Sequence, residues 1–229
     1  MPPHIITLAE QRSGLDVAEL ASQFVSLGAT CELGYVQRYL GAEPLDLLRW
    51  SAVTVQDLTR AINGGFADLG ERLDIGGDRH PHDEWTARDL TYQISFHTGL
   101  YANEIGRAAL ETEVRRRLVW QRERLLGDLA SGEKLMVRWP ARGEMLDDTA
   151  VHLLAQAISR HGPAQLLVVS GGDLRTAARV GPTLIRGSVW RLASADMQTA
   201  VDLDGWLRVM VTALDAAKGS WGAGQQRNE

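Results

Sequence analysis

Between Gln23 and Leu27 the chain places three large apolar residues, Phe24, Val25 and Leu27, in a run too short for a helix, and Gly28 follows at once. A short strand that turns at a glycine is the reading this pattern dictates. A helix is expected next. Thr30 is placed to cap it, its hydroxyl accepting from an early backbone N–H, while Leu33, Val36 and Leu40 fall near one face of the following turns. Cys31 then lies in the first helical turn, where the positive end of the helix dipole favours thiolate over thiol. The same position equally suits a small buried apolar residue, the common fate of a cysteine.

Composition bounds the rest. The 229 residues are 45% apolar and 23% charged, enough for one substantial core, and one domain is the economical reading. A formal net charge of −5 supplies no basic field to collect nucleic acid or anionic membrane, so neither is expected as a partner. The lone cysteine has no internal disulfide partner, and a reducing compartment, the cytoplasm, is the expected setting. The first ten residues show no basic segment leading into an apolar one, and no apolar run is long enough to span a bilayer; neither signal peptide nor membrane anchor is expected.

Taken in order, residues 1–14, with Pro2, Pro3 and little periodicity, read as a flexible leader, and Leu15 to Ala21 as a short helix. Gly41 to Pro44 ends the Cys31 helix. Asp46, set among Leu45, Leu47 and Leu48, is expected to be half-buried and to need a partner. Thr54 opens a helix to about Ile62. Glu71 to Asp89, rich in Gly, Asp and His, reads as a long surface excursion. Leu90 to Phe96 alternates as a half-buried strand ending at His97, and Glu104 to about Asp128 forms a long helix with a stripe of Leu110, Val114, Leu118, Leu125 and Leu129.

Beyond Lys134 the rhythm becomes β-α-β-α: strands at Lys134 to Trp139, Leu166 to Val169 and Ser188 to Leu192, and helices capped by Asp147 or Asp148 and running from about Asp204 to Ala217. That alternation predicts an α/β fold, a single domain over 15–218 built on a mostly parallel sheet with helices on both faces. Residues 219–229 have the composition of a disordered tail.

Several chemistries are excluded. There is no phosphate-binding Gly-Lys-Ser/Thr loop, no Gly-x-Gly-x-x-Gly after a strand, no Gly-x-Ser-x-Gly elbow and no His-Glu-x-x-His. His80-Pro81-His82-Asp83 holds too few ligands for a metal site, and no metal or cofactor is expected. The arginines from Arg115 to Arg124 are interleaved with acids and read as a solvated helix face. What remains is a cysteine at a helix start, a histidine at a strand end and a half-buried acid. A thiol and an imidazole work together only within hydrogen-bond reach and with a third group orienting the ring.

Phe24 to Gly34, with its Ser26-Leu27-Gly28-Ala29-Thr30-Cys31 core, followed by Pro44-Leu45-Asp46-Leu47 and later by Phe96-His97-Thr98, resembles a bacterial family described as papain-like cysteine peptidases. That family shows Ser-Leu-Gly-x-x-Cys, then Pro-Phe-Asp-Trp, then a histidine after a strand. The resemblance is sharpest from Phe24 to Leu69 and looser to about Asp204. It implies Cys31 as nucleophile, His97 as base and Asp46 as the acid. Leu45 and Leu47 replace the family's phenylalanine and tryptophan, with Trp50 three residues later, so the wall around Asp46 is built differently.

The resulting expectation is a thiol-dependent hydrolase or acyltransferase in which backbone N–H groups around Ala29, Thr30 and Glu32 hold the oxyanion, acting on a peptide, acyl or sugar-linked substrate. Two alternatives stay open. One is a non-catalytic carbohydrate- or nucleotide-binding module, serving bacterial surface-polysaccharide assembly through the strand end at Gly171-Gly172. The other is a different α/β hydrolytic site in which Cys31 is only packing.

Overall fold

A computed structural model describes residues 3–77, 82–141, 143–192 and 201–219. In chain order the elements are α1 (Pro3–Ser13), α2 (Val17–Ser22), β1 (Phe24–Ser26), α3 (Glu32–Tyr39), β2 (Ser51–Ala52), α4 (Val55–Asn63), β3 (Leu73–Gly76), β4 (Glu84–Asp89) and β5 (Ile94–Tyr101). These are followed by α5 (Arg107–Ser131), β6 (Leu135–Arg138), α6 (Asp148–Ser159), β7 (Gln165–Gly171), β8 (Ala177–Arg179), β9 (Leu184–Val189) and α7 (Leu203–Lys218).

The strands form two sheets rather than the one expected. The first has the order β1-β6-β7-β9-β8; it is parallel except for β8, which runs antiparallel to β9 at the edge. The second, β2-β5-β4-β3, is antiparallel. The expected surface excursion from Glu71 to Asp89 therefore holds two of its strands. Their inward positions are Ile75, Trp85, Ala87 and Asp89, and Asp89 breaks the apolar alternation that would have marked β4. Asp89 is buried because its carboxylate accepts from the Gly70 and Tyr92 amides, at 2.8 and 2.7 Å. Within the expected leader, residues Pro3–Ser13 form α1, and proline at a first helical position suits a helix because its fixed φ is helical and its missing N–H is no loss there. Arg12 ties α1 to α7 through Asp215 at 2.7 Å.

Other elements follow from local chemistry. Asp16 opens α2 with a capping box to Glu19, Thr54 caps α4 and Asp147 caps α6. All five apolar residues of the α5 stripe are buried, and Glu111 pairs with Arg115, and Glu113 with Arg117, one turn on. The strand expected at Ser188 to Leu192 lies earlier, at Leu184–Val189. The expected tail falls, from residue 220 onward, outside the described residues. Among the described residues, no helix is long and apolar enough to cross a membrane.

Two features pin the segment leading to Cys31. Gly28 has φ +70°, and a Cβ there would sit 2.5 Å from Ser51 Oγ, so both conformation and space demand glycine. Arg138, fully buried, donates to the carbonyls of Leu27 and Val53 at 3.1 and 3.0 Å and pairs with Glu144 at 2.5 Å.

Candidate active site

The helix after Gly28 begins one residue later than expected. Cys31 itself occupies the N-cap, and Thr30 Oγ1 lies 3.4 Å from the Glu32 amide while accepting from Trp139 Nε1 at 3.0 Å. Leu33 and Val36 bury the face beneath, and Trp206 Nε1 donates to the buried Glu32 carboxylate at 2.8 Å, fixing the start of α3 against α7. The cysteine is thus held by elements on both sides of it and is only 8% exposed.

Cys31, Asp46 and His97 all line one cleft of about 660 Å³, between α3, the Leu45 to Trp50 segment, β5 and the middle of α5. The volume is within the usual range for small-molecule sites. No hydrogen bond joins Cys31 to His97. Ala29, Thr30 and Glu32, the expected oxyanion residues, are not among the side chains that line the cleft.

His97 lies within β5 rather than at its end, because the strand continues to Tyr101; its side chain stands on the exposed face. Its Nδ1 lies 3.0 Å from Glu84 Oε2, and Glu84 Oε1 accepts from the Gly99 amide at 2.8 Å. The hydrogen bond to Glu84 holds His97 above its ordinary pKa of 6.5, and the same bond pulls the Glu84 carboxylate below its own. The carboxylate on the histidine is therefore Glu84, a residue that sequence reading had assigned to a loop. Glu84 pairs with Tyr101 across a register shift from the Thr86 to His97 pairing, and nothing local in the sequence signals the contact its side chain makes with His97.

Asp46 goes elsewhere. It is 7% exposed, and neither carboxyl oxygen has a hydrogen-bond partner. Burial pushes its pKa up to about 6.

The Cys31 thiol is also pushed up, to about 11, first by burial and then by the Glu84 carboxylate. The dipole at the start of α3 does not outweigh these, so the expected thiolate is a thiol at rest. The walls are aromatic and basic at the α3 side: Tyr35 and Trp50 meet edge to face at 5.3 Å, and the Arg38 guanidinium lies 4.6 Å from the Trp50 ring.

The strand end at Gly171 leads into a second hollow of about 650 Å³ lined by Asp173, Arg175 and Trp190. The three arginines that line it are engaged: Arg175 pairs with Asp204 at 3.2 Å and lies over Trp190 at 5.3 Å, Arg208 pairs with Asp204 at 2.9 Å and Arg12 with Asp215. His80 lies outside the described residues, and among the described residues no group of three or more His, Cys, Asp or Glu gathers to hold a metal. Comparison of the chain with protein-family models, with curated proteins and with solved structures finds no match.

Proposed function

We propose that the chain is a thiol-dependent acyl-transfer enzyme, a hydrolase or acyltransferase of the papain-like kind, with Cys31 as nucleophile, His97 as general base and Glu84 as the group that orients the ring. The observation that carries this reading is the His97 to Glu84 bond at 3.0 Å, beside the chain's single thiol in one cleft. A carboxylate on Nδ1 fixes the tautomer and leaves Nε2 to take a proton.

The chemistry follows from the resting states. Because Cys31 rests as a thiol, His97 removes its proton as the sulfur bonds to the substrate carbonyl, rather than forming an ion pair beforehand. The His97 proton then passes to the leaving group as the carbon to leaving-group bond breaks, giving a thioester on Cys31. Water, deprotonated by the same imidazole, releases the acid; another nucleophile in its place gives transfer. Of the residues around the start of α3, Cys31 is the one at the cleft, and its own backbone N–H is the candidate oxyanion donor. Apo geometry with no sulfur to imidazole bond is compatible with this, since such bonds tighten when substrate is present.

The substrate is a peptide, acyl or sugar-linked carbonyl compound, and the reducing cytoplasm suits an unpaired thiol. We further read the chain as one domain with helices on both faces of the parallel sheet. Val25, Met136 and Leu166 join one buried cluster with α4, α5 and α6, while Phe24, Val137 and Leu167 join another with α2, α3 and α7. An activated acyl donor followed by intact-mass and peptide mapping tests the function. An acyl group on Cys31, lost in Cys31→Ala and strongly slowed in His97→Ala, is expected; acylation elsewhere, or none, overturns it.

A further inference from the structure

Among the polar groups of the cleft that the acyl-transfer chemistry does not use, Asp46 is the buried one without a partner. It lines the cleft, is more than nine-tenths buried, and leaves both carboxyl oxygens without a hydrogen-bond partner. A buried carboxyl with neither oxygen paired carries an uncompensated desolvation cost, whereas the buried Arg49 and Arg138 each lack a partner only at Nε; Asp46 thus calls for a donor from outside the chain.

The cations around it are taken. Lys134 Nζ donates to Asp128 at 3.2 Å, Arg49 pairs with Glu43 at 2.5 Å, and Arg124 lies over the Trp120 ring at 5.6 Å. Their attraction, with Asp128 opposing, fails to offset burial: the Asp46 carboxyl still titrates near 6, above the carboxylate range. The cleft that Asp46 lines is mixed: Leu47 on its own segment and Val114 and Leu118 on α5 give it aliphatic surface, while Arg38, Arg117 and Gln121 line it as well. An unpaired buried acid in a cleft that also offers aliphatic surface matches a ligand group that is itself an aliphatic stem carrying a cation.

We propose that Asp46 is the specificity-determining residue of the cleft and accepts a primary ammonium at the end of an aliphatic chain, as in a lysyl or aminoalkyl group of the substrate. This rests on the acyl-transfer reading only in placing the substrate carbonyl near Cys31; the ammonium contact is a binding property of the cleft. Binding replaces an unsatisfied carboxyl by a charge-assisted hydrogen bond, so discrimination against the uncharged analogue arises from the partner each leaves behind.

The test uses full-length Cys31→Ala protein, in which no acylation occurs, with Nα-acetyl-lysine amide and Nα-acetyl-norleucine amide compared by ligand-observed NMR titration. The lysine amide is expected to bind at least about tenfold more tightly than its uncharged analogue, the effect of one added charge-assisted contact. The preference is expected to vanish when Asp46→Asn is added. Equal affinities, no detectable lysine-amide binding, or a preference that survives Asp46→Asn overturns the proposal. The first two results are read without the Asp46 variant, so a variant that fails to fold does not protect the idea. Because no thiol takes part, this result is separate from the fate of acylation at Cys31.

Discussion

His97 Nδ1 and Glu84 Oε2 stand 3.0 Å apart across neighbouring antiparallel strands, and this contact gives the cleft both a base and a reason for its base strength. The same carboxylate that raises the histidine also raises the neighbouring thiol. Glu84 thus tunes the pair in opposite senses: it makes His97 a better proton acceptor and Cys31 a poorer resting nucleophile.

Replacing Glu84 by Gln separates those effects. Catalysis requires neutral His97, so the rate rises with pH through the His97 pKa, which the wild-type pair holds above 6.5. Without the carboxylate the imidazole loses its proton at lower pH. The ascending limb of the pH profile of acylation is therefore expected to move to lower pH in Glu84→Gln, while the plateau rate falls because the ring is less well oriented and less basic. An NMR titration of the His97 ring checks the shift independently, and an unchanged ring pKa contradicts the assignment.

Asp46 makes a stability prediction with a defined sign. Its folded pKa of about 6 lies above the ordinary 3.8, so between those values the folded state binds more protons than the unfolded one and stability falls as pH rises. The loss is on the order of 3 kcal/mol and is complete above the folded value. Asp46→Asn has no proton to lose there. Urea unfolding at about pH 4 and about pH 7.5 is expected to show the variant gaining on the wild type by that order across the interval. A pH-independent difference contradicts the burial argument.

Arg138 anchors the turn that delivers Cys31. Arg138→Ala would leave the Glu144 carboxylate without its cation, held only by the Val55 and Ala141 amides, and take the donors from the Leu27 and Val53 carbonyls. Breaking one side of such a buried pair costs about 3–5 kcal/mol, read as a lower urea midpoint. An effect below about 1 kcal/mol would place the anchor elsewhere.

The parts of the fold legible in the sequence are those that local spacing decides. Phe24 to Leu27 with Gly28, the caps at Thr54 and Asp147, and the stripe from Leu110 to Leu129 each carry their signal within a few residues. Of the antiparallel sheet, β5 is legible in the alternation up to Phe96, whereas β4 is not, because its inward positions include Asp89, polar by type and buried through the Gly70 and Tyr92 amides it accepts. The start of α1 was marked by Pro3, readable either as a loose segment or as a first helical residue. Of the site, Cys31, Asp46 and His97 were named from sequence and share one cleft, whereas Glu84 was not, because the pairing register of β4 and β5 is a tertiary fact. The ionisation state of Cys31 is not legible for a related reason: a helix start is visible in sequence, but burial and the Glu84 charge are not.

The measurement that bears most directly on the central claim is the burst of p-nitrophenolate released as p-nitrophenyl acetate acylates the enzyme, followed against pH in wild-type and His97→Ala protein. The account expects about one equivalent per chain, carried by Cys31, at a rate that follows a single ionisation above 6.5 and drops roughly a hundredfold without His97. A burst rate that climbs instead with the thiol's own titration near 11, and is the same in His97→Ala, would contradict it.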